Sequence, residues 1–394
     1  MKINSRILVV ISIVVVIIAV SSILFQRFGV RPSIDPGSMD DIQLPPGFTI
    51  DVYAQDLGGS SLSFPEPNTA PRMLLLKDGI LYVSLTRQGK VVALPDSDRD
   101  NKADETIIFI DGLNNPHGLD FSDGWFYIAE ETRVIRIKDR NNDLVADRDS
   151  LEVLIDDLPG GGHFTRSIRI HNNSLYLSIG SSCNVCNEQD GRRAAISRCD
   201  LDGTDCEIFA RGLRNAVGIT FHPLTGEMYV TENGRDLLGD DIPPDELNLV
   251  REGTNYGWPI CYGQNIHDTQ FDKNVYIRNP CEQPFEMPAL VDLQAHSAPL
   301  GLMFYYGENF PEQYRGDLFV AFHGSWNRKE PTGYKIVTID MNNFEVNDFA
   351  TGWLKGGTVS GRPVDIITND DGSLFVSDDY AGKIYRIYYL DSDL

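Results

Sequence analysis

The sequence predicts an all-β fold, because almost none of its 394 residues follow helical periodicity and one short strand signature recurs along the chain. The signature begins with a turn ending in Gly or Asn, continues with an aromatic residue, and ends with aliphatic or small residues, which suits a buried strand. The copies are Asp78–Ser84, Asp123–Ala129, Asn173–Ser178, Gly226–Thr231, Gly316–Ala321 and Gly372–Ser377.

The spacing of these copies predicts a six-bladed β-propeller with four-stranded antiparallel blades. Their aromatic residues stand at positions 82, 127, 176, 229, 319 and 375, so successive copies lie 45 to 56 residues apart except for one interval of 90. Repeats of about 45–55 residues with about four short strands each are typical of propeller blades. A β-sandwich is the alternative, but six copies of one pattern argue against it. The long interval predicts one blade plus an insertion at about residues 253–295.

The segment Leu44–Tyr53 comes before the first complete blade. We expect it to pair with the last blade and close the ring, because an open sheet edge exposes unpaired backbone groups. The propeller domain is therefore predicted to span residues 44–394.

The N-terminus predicts a hydrophobic helix of residues 1–25 in front of the propeller. Two basic residues come first, and about 19 uncharged, mostly β-branched residues follow up to Phe25. This run is long enough to cross a bilayer, and the preceding positive charges favour an N-terminus on the inside. We predict an anchor in the cell membrane and an extracytoplasmic propeller on a tether of residues 26–43. A cleaved signal segment, with Ala19–Ser21 as its site, is the alternative and would make the protein secreted.

The net charge of −23 and the isoelectric point of about 4.6 argue against nucleic acid as a partner, because a negative surface repels phosphates. The same charge is compatible with divalent cations and with neutral or zwitterionic small molecules.

The cysteines form three local pairs: Cys183 with Cys186, Cys199 with Cys206, and Cys261 with Cys281. We predict three disulfides, as expected in an oxidising compartment. A zinc site at the first pair would need a second pair of similar spacing, which the sequence lacks. A thioredoxin-like motif would need a helix after a strand, and the sequence shows no such pattern here.

Two acidic connections, Asp96–Asp104 and Asp139–Asp147, place oxygen ligands at positions 1, 3, 5 and 9 of a calcium-like loop. Asn101 in the first tolerates the left-handed turn that such a loop needs, whereas Leu144 in the second does not. We expect solvated acidic hairpins, with weak Ca²⁺ binding at the first as the alternative.

Polar and cationic residues stand just before several predicted inner strands, where a propeller presents its ligand-binding loops. These segments are Asn114–Gly118, Gly160–Arg166, Arg211–Asn215, His296–Pro299, Ser360–Arg362 and, after a strand, His323–Arg328. Their histidines and arginines predict a cationic pocket for a small polyanion, with a histidine available as a base.

One long acidic loop, residues 231–259, leaves the fourth signature strand and carries the most specific motif. The run Arg214–Phe221, Gly226–Gly234, Asp245–Asn248 and Gly253–Pro259 resembles the soluble pyrroloquinoline-quinone (PQQ)-dependent sugar dehydrogenases, which include glucose/sorbosone and aldose sugar dehydrogenases. The segments Gly162–Arg166 and Ser297–Gly301 are similar to two further family segments. The resemblance spans about residues 44–390 and implies a six-bladed propeller.

The resemblance implies a role for each matching residue. His163 would be the base that removes the C1 hydroxyl proton of a sugar, with hydride passing to C5 of the quinone. Arg214 and Asn215 would polarise the quinone carbonyls and bind the cofactor, and Arg362 would bind its carboxylates. His117 and Arg328, from the polar segments near the inner strands, are predicted to bind the cofactor as well. The backbone carbonyls of Gly234 and Arg235 would hold a Ca²⁺ ion that bridges to PQQ.

Three departures from the family pattern accompany this match. Val364 stands where a second cofactor-binding arginine is expected, and Arg235 stands where proline is usual and places a positive charge beside the cation site. A lysine of blade 5 is unmatched, and Arg328 is expected to substitute for it.

The sequence therefore predicts a quinoprotein oxidoreductase that oxidises the C1 hydroxyl, or hydrated aldehyde, of an aldose or sorbosone-like sugar and passes electrons to a respiratory acceptor. The alternative is a non-catalytic propeller module that has lost cofactor ligands. A metal-dependent lactonase would need a His/Asp/Glu/Asn cluster in the channel, and no set of acidic residues for it is evident.

Overall fold

The computed structural model describes residues 33–34, 41–58, 71–284 and 286–390. The hydrophobic helix predicted for residues 1–25, and most of the predicted tether, lie outside these residues. No helix within the described ranges is long and apolar enough to cross a membrane.

Thirty strands build the described part of the chain. Two come before the first blade: β1 (Ser33–Ile34) and β2 (Phe48–Ala54). Blade 1 contains β3 (Leu74–Lys77), β4 (Ile80–Leu85), β5 (Lys90–Leu94) and β6 (Ile107–Asp111). Blade 2 contains β7 (Leu119–Ser122), β8 (Trp125–Ala129), β9 (Val134–Ile137) and β10 (Glu152–Ile155). Blade 3 contains β11 (Arg166–His171), β12 (Ser174–Ile179), β13 (Ala195–Asp200) and β14 (Glu207–Arg211).

Blade 4 begins with β15 (Ala216–Phe221), β16 (Met228–Glu232) and β17 (Asp245–Val250). An insertion then adds β18 (Thr254–Asn255), β19 (Cys261–Tyr262) and β20 (Ile266–His267) before β21 (Val291–Leu293) completes the blade. Blade 5 contains β22 (Pro299–Phe304), β23 (Leu318–Phe322), β24 (Lys335–Ile339) and β25 (Val346–Ala350). After the hairpin of β26 (Leu354–Lys355) and β27 (Thr358–Val359), blade 6 contains β28 (Pro363–Thr368), β29 (Leu374–Asp378) and β30 (Lys383–Tyr389). The predicted six-bladed β-propeller is confirmed.

The ring closes as expected, because β2 pairs antiparallel with β30 and becomes the outer strand of blade 6. Phe48 of β2 packs edge-on against Phe310, Phe349 and Tyr389, with ring centroids 4.7, 5.0 and 5.1 Å away. An N-terminal strand thus ties the two ends of the ring together.

The signature turns of blades 1, 2 and 3 are two-residue hairpins of the type that matches strand twist. Asp78 and Gly79 have φ of 51° and 77°, and Asp123 and Gly124 have φ of 49° and 78°. Positive φ at both central residues defines the type I′ turn favoured in two-residue hairpins.

The signature aromatic residue of each blade packs against the next blade. Six apolar clusters fill the six blade interfaces, including the one between blades 6 and 1, and each contains one of these rings: Tyr82, Tyr127, Tyr176, Tyr229, Phe319 and Phe375. The repeat in the sequence therefore reflects a repeated packing requirement.

All three predicted disulfides are present: Cys183–Cys186, Cys199–Cys206 and Cys261–Cys281. The second closes the β13–β14 hairpin, and the third spans the insertion of blade 4.

The two acidic connections adopt the same backbone. Asp96 accepts hydrogen bonds from the Asp100 and Asn101 N–H groups, and Asp139 accepts the equivalent bonds from Asp143 and Leu144. Asn101 and Leu144 both have φ of 68°, so the expectation that leucine would not adopt this turn is wrong. Leu144 is half-buried against the cluster between blades 1 and 2, and this apolar burial offsets the backbone cost. The solvated hairpin stays the prediction for the first loop, with weak Ca²⁺ binding as its alternative.

Candidate active site

His163 lies in the loop that precedes β11. Its backbone N–H donates to the Ser181 carbonyl oxygen at 3.0 Å, and Nδ1 lies 2.9 Å from the same oxygen and 3.1 Å from Ser181 Oγ. The Ser181 hydroxyl donates its proton to the Cys183 carbonyl oxygen at 2.7 Å, so Ser181 Oγ can only accept from the ring, as the Ser181 carbonyl oxygen does. Nδ1 of His163 therefore carries the proton. The lone pair is then on Nε2, to which no described residue donates.

The His163 imidazole is neutral at physiological pH. Burial, followed by the nearby Arg214 guanidinium, lowers its pKa from 6.5 to about 4. A neutral imidazole with an unoccupied Nε2 meets the requirement for a general base.

Two buried arginines fix the loop that carries His163. Arg166 donates to the His163 carbonyl oxygen at 2.7 Å, and Arg193 donates to the carbonyl oxygens of Gly180 and Pro159 at 3.1 and 2.8 Å. The sequence pattern did not single out Arg193, because its partners lie on other segments of the chain.

Asn215 meets His163 across Gly180. A Cβ atom on Gly180 would lie 2.4 Å from Asn215 Oδ1 and 2.7 Å from His163 Cβ, so only glycine fits between them. Asn215 Oδ1 is buried and has no hydrogen-bond partner among the described residues. An oxygen of this kind calls for a donor from water or a ligand.

Arg214 connects two sides of the site. Its guanidinium donates to the carbonyl oxygens of Asn184, Asn233 and Gly234 at 2.9, 3.0 and 2.9 Å. It also lies 3.3 Å from the Asp236 carboxylate. The planar donor fork is thereby held in one orientation.

The Gly234–Arg235 turn of the acidic loop is held by a carboxylate. The Gly234 N–H donates to Asp245 Oδ1 at 2.9 Å. The Arg235 guanidinium pairs with Asp268 of the insertion at 2.6 Å, and the two side chains are 11% and 2% exposed. The insertion therefore supplies a buried counterion to the positive charge that Arg235 brings to this turn.

Two further buried carboxyl groups, those of Glu232 and Glu246, lie in the hydrogen-bond network next to this turn. Glu232 accepts the Arg214 backbone N–H at 2.7 Å, and Asn248 donates to Glu232 and Glu246 at 3.3 and 3.0 Å. Burial raises the pKa of Asp245 to about 7, and burial with repulsion from Glu246 raises that of Glu232.

Blades 5, 6 and 1 contribute a second cationic group of side chains. His323 Nε2 and Arg72 Nη1 lie 2.8 and 2.6 Å from the two carboxylate oxygens of Asp379. Arg362 donates to the His323 and Gly324 carbonyl oxygens at 3.1 and 2.8 Å. Arg72 comes directly before β3, the same position as the other candidates, but the sequence alone did not distinguish it. Its Nε is buried without a hydrogen-bond partner.

Val364, the expected position of a second arginine, is fully buried. It forms a small apolar cluster with Val217 and Leu300 on the first strands of blades 6, 4 and 5. The arginine is therefore replaced by apolar packing around the propeller axis.

Three predicted cofactor ligands, Arg362, Arg328 and His117, are not in the walls of the pocket that these loops form. Arg328 donates to the Asp240 and Ala295 carbonyl oxygens and pairs with Asp241, so it ties neighbouring loops together. His117 is 0% exposed, and neither ring nitrogen has a hydrogen-bond partner. Burial, reinforced by the Arg72 charge, lowers the pKa of His117 well below its usual value.

A pocket of about 370 Å³ opens where these loops meet. Its walls contain His163, Arg214, Asn184, Asp236, Leu237 and Trp326, together with Gly162, Ser182 and Cys183. Of the predicted site residues, the structure thus brings His163 and Arg214 into one pocket, with Asn215 and Gly234 directly behind them. Asp236 and Trp326 were not singled out from the sequence, although both stand inside motifs that were.

The chain matches the TrAA12-like family model over residues 66–390. An uncharacterized protein of Borreliella burgdorferi is 38% identical over 295 residues, which is 70% of this chain and 76% of that protein. A pyrroloquinoline quinone-dependent pyranose dehydrogenase of Coprinopsis cinerea is 26% identical over 293 residues, which is 57% of this chain and 39% of that longer protein.

The fold is also similar to a solved structure, the calcium structure of the Trichoderma reesei carbohydrate-active enzyme of family AA12. The TM-score is 0.73 at 21% sequence identity, and the match covers 92% of this chain and 98% of that chain.

Proposed function

Because the chain belongs to the TrAA12-like family of PQQ-dependent sugar dehydrogenases, we propose that it oxidises the C1 hydroxyl or hydrated aldehyde of an aldose or sorbosone-like sugar. The observation that carries this proposal is the neutral His163 imidazole, whose free Nε2 shares a pocket with the Arg214 guanidinium. In this role Nε2 takes the proton of the sugar C1 hydroxyl, and the Nδ1–H bond to Ser181 keeps the ring in the required tautomer.

The residues present fit PQQ. The cofactor carries three carboxylates. Arg214 lines the pocket, and Arg362 and Arg72 lie in the second cationic group, where Arg72 pairs with Asp379, in a protein that is otherwise strongly acidic. Bound PQQ would supply the quinone that accepts hydride from the sugar. Arg214 and Asn215 would orient it and polarise its carbonyl groups, and Arg72 would stand in for the arginine replaced by Val364.

The Gly234–Arg235 turn also offers what Ca²⁺ requires, namely backbone carbonyl oxygens, with the Asp236 carboxylate in the next position. Arg214 already donates to the Gly234 oxygen, which retains a second lone pair. We propose that Ca²⁺ binds here through the Gly234 and Arg235 carbonyl oxygens.

A non-catalytic propeller is the second candidate. The apolar cluster around Val364 favours it, because that cluster removes one cofactor-binding charge. The proximity of His163, Arg214 and Asn215 at one pocket nevertheless supports the catalytic role, and for this reason we rank catalysis first.

Reconstitution tests the choice. Purified full-length protein is titrated with PQQ in the presence of Ca²⁺ and followed by absorbance, and dye reduction is then measured with a panel of aldoses and L-sorbosone. We expect PQQ binding and turnover in the wild type, and PQQ binding without turnover in His163→Gln. Absence of both in the wild type would leave the non-catalytic reading. Chelation of Ca²⁺ should weaken PQQ binding.

We further propose that the propeller works outside the cytoplasm, held by the N-terminal segment, and that electrons leave to a respiratory acceptor. The three disulfides support the extracytoplasmic part. Fractionation of cells with an antibody to the propeller tests the tether: a washed membrane fraction should retain the protein.

A further inference from the structure

Trp326 presents an exposed ring in the wall of the candidate active site. Its residue surface is 56% exposed, yet it lines the same pocket as His163 and Arg214. No described residue accepts a hydrogen bond from its indole N–H, and it belongs to none of the apolar clusters. The ring therefore has no evident role in the stability of the fold.

The backbone around this ring is fixed on both sides. Ser325 is buried, and its N–H donates to the Thr332 carbonyl oxygen at 2.9 Å. On the other side, the Asn327 side chain donates to Asp236 at 2.7 Å, and the Arg328 side chain donates to the Ala295 carbonyl oxygen at 3.2 Å. An exposed aromatic ring on an immobilised loop can bind a ligand with little loss of conformational entropy.

From these contacts we infer that the Trp326 indole is the platform on which a pyranose ring of the substrate stacks. One face of a pyranose presents C–H groups that pack against an aromatic face, while its hydroxyl groups stay available for hydrogen bonds at the edge. The Asp236 carboxylate in the same wall accepts one hydrogen bond from Asn327 and one from Arg214, and its remaining lone pairs can accept from such hydroxyls.

The position of the ring favours the sugar over the cofactor. Arg72, which would take a cofactor carboxylate, and Arg214, which would polarise the quinone, are about 5% and 4% exposed, whereas Trp326 is 56% exposed. The inference rests on the proposed function in that it names the sugar side of the same pocket.

The test compares Trp326→Ala and Trp326→Phe with the control Phe344→Ala in the full-length protein. Phe344 is 41% exposed and lies in blade 5 at the opposite end of β24. PQQ affinity is measured by titration, and KM and kcat are measured with D-glucose and L-sorbosone.

For Trp326→Ala we expect a KM about tenfold higher with kcat changed less than about twofold, because stacking binds substrate and transition state alike. Trp326→Phe should lie between alanine and wild type, and Phe344→Ala should match wild type. PQQ affinity should be the same in all four proteins. A weakened PQQ affinity in Trp326→Ala would show that the ring stacks on the cofactor, and an unchanged KM would show that it stacks on nothing; either overturns the inference.

Failure of the proposed function is separable from failure of this inference. If the wild type binds no PQQ, the same sugars are titrated calorimetrically without cofactor. Binding that Trp326→Ala lacks would support the platform, and absence of binding to the wild type would overturn it.

Discussion

Replacing Gly180 by alanine should move the His163 side chain away from the Asn215 side-chain amide. The new Cβ atom would lie 2.4 Å from Asn215 Oδ1 and 2.7 Å from His163 Cβ. Non-bonded heavy atoms prefer separations of about 3.5 Å or more, so His163 and Asn215 must move apart by about 1 Å. A misplacement of about 1 Å in a catalytic site can lower the rate about 100-fold.

The fold itself should survive this substitution. Over-packing of one methyl group typically lowers the free energy of unfolding by about 1–3 kcal/mol. Gly191→Ala, in the same β12–β13 connection, is the matched control because its added Cβ meets no atom within 4 Å.

The assay is dye reduction by the PQQ-loaded variants, with urea denaturation measured in parallel. We expect kcat/KM to fall about 100-fold in Gly180→Ala and to stay unchanged in Gly191→Ala. Equal activity and equal stability of the two variants would refute the described contact between His163, Gly180 and Asn215.

Since the pKa of His163 is lowered to about 4, kcat/KM should be level at neutral pH and fall as pH drops through that value; a decline centred near 6.5 would contradict the buried, neutral imidazole. Phe48→Ala should lower the free energy of unfolding by about 3 kcal/mol in a denaturant titration, through lost edge-on packing in the ring closure, with PQQ affinity unaffected. Asp268→Asn should lower the free energy of unfolding by about 3 kcal/mol and weaken Ca²⁺-dependent PQQ binding, because it leaves the buried Arg235 charge unpaired beside the proposed cation site; wild-type calcium dependence would exclude this role.

His163 also makes the free energy of unfolding depend on pH. Its pKa is 6.5 when exposed and about 4 when folded, so the unfolded chain binds this proton at higher pH than the folded chain does. The contribution of His163 to stability is therefore complete above about pH 6.5 and is lost as pH falls towards 4.

The sequence alone determined the propeller and its ring closure. Each signature combines a local turn with an aromatic residue that packs against the next blade, so the repeat encodes both the hairpin and the blade interface. The three disulfides could also be predicted from the sequence, because the two cysteines of each pair are close in the chain. The sequence also singled out His163, Arg214 and Asn215 as candidates, because they stand in motifs directly before inner strands.

Only the tertiary structure decided which charges meet. Arg72 and Asp379 are 307 residues apart in sequence and form one ion pair, and Arg235 finds its counterion in an insertion. The sequence placed Arg328 and His117 among the cofactor ligands, whereas the fold uses the first to tie loops and buries the second. Local patterns specify turns and strand faces, but the partner of a side chain depends on how distant blades pack, and the sequence spacing carries no information about that distance.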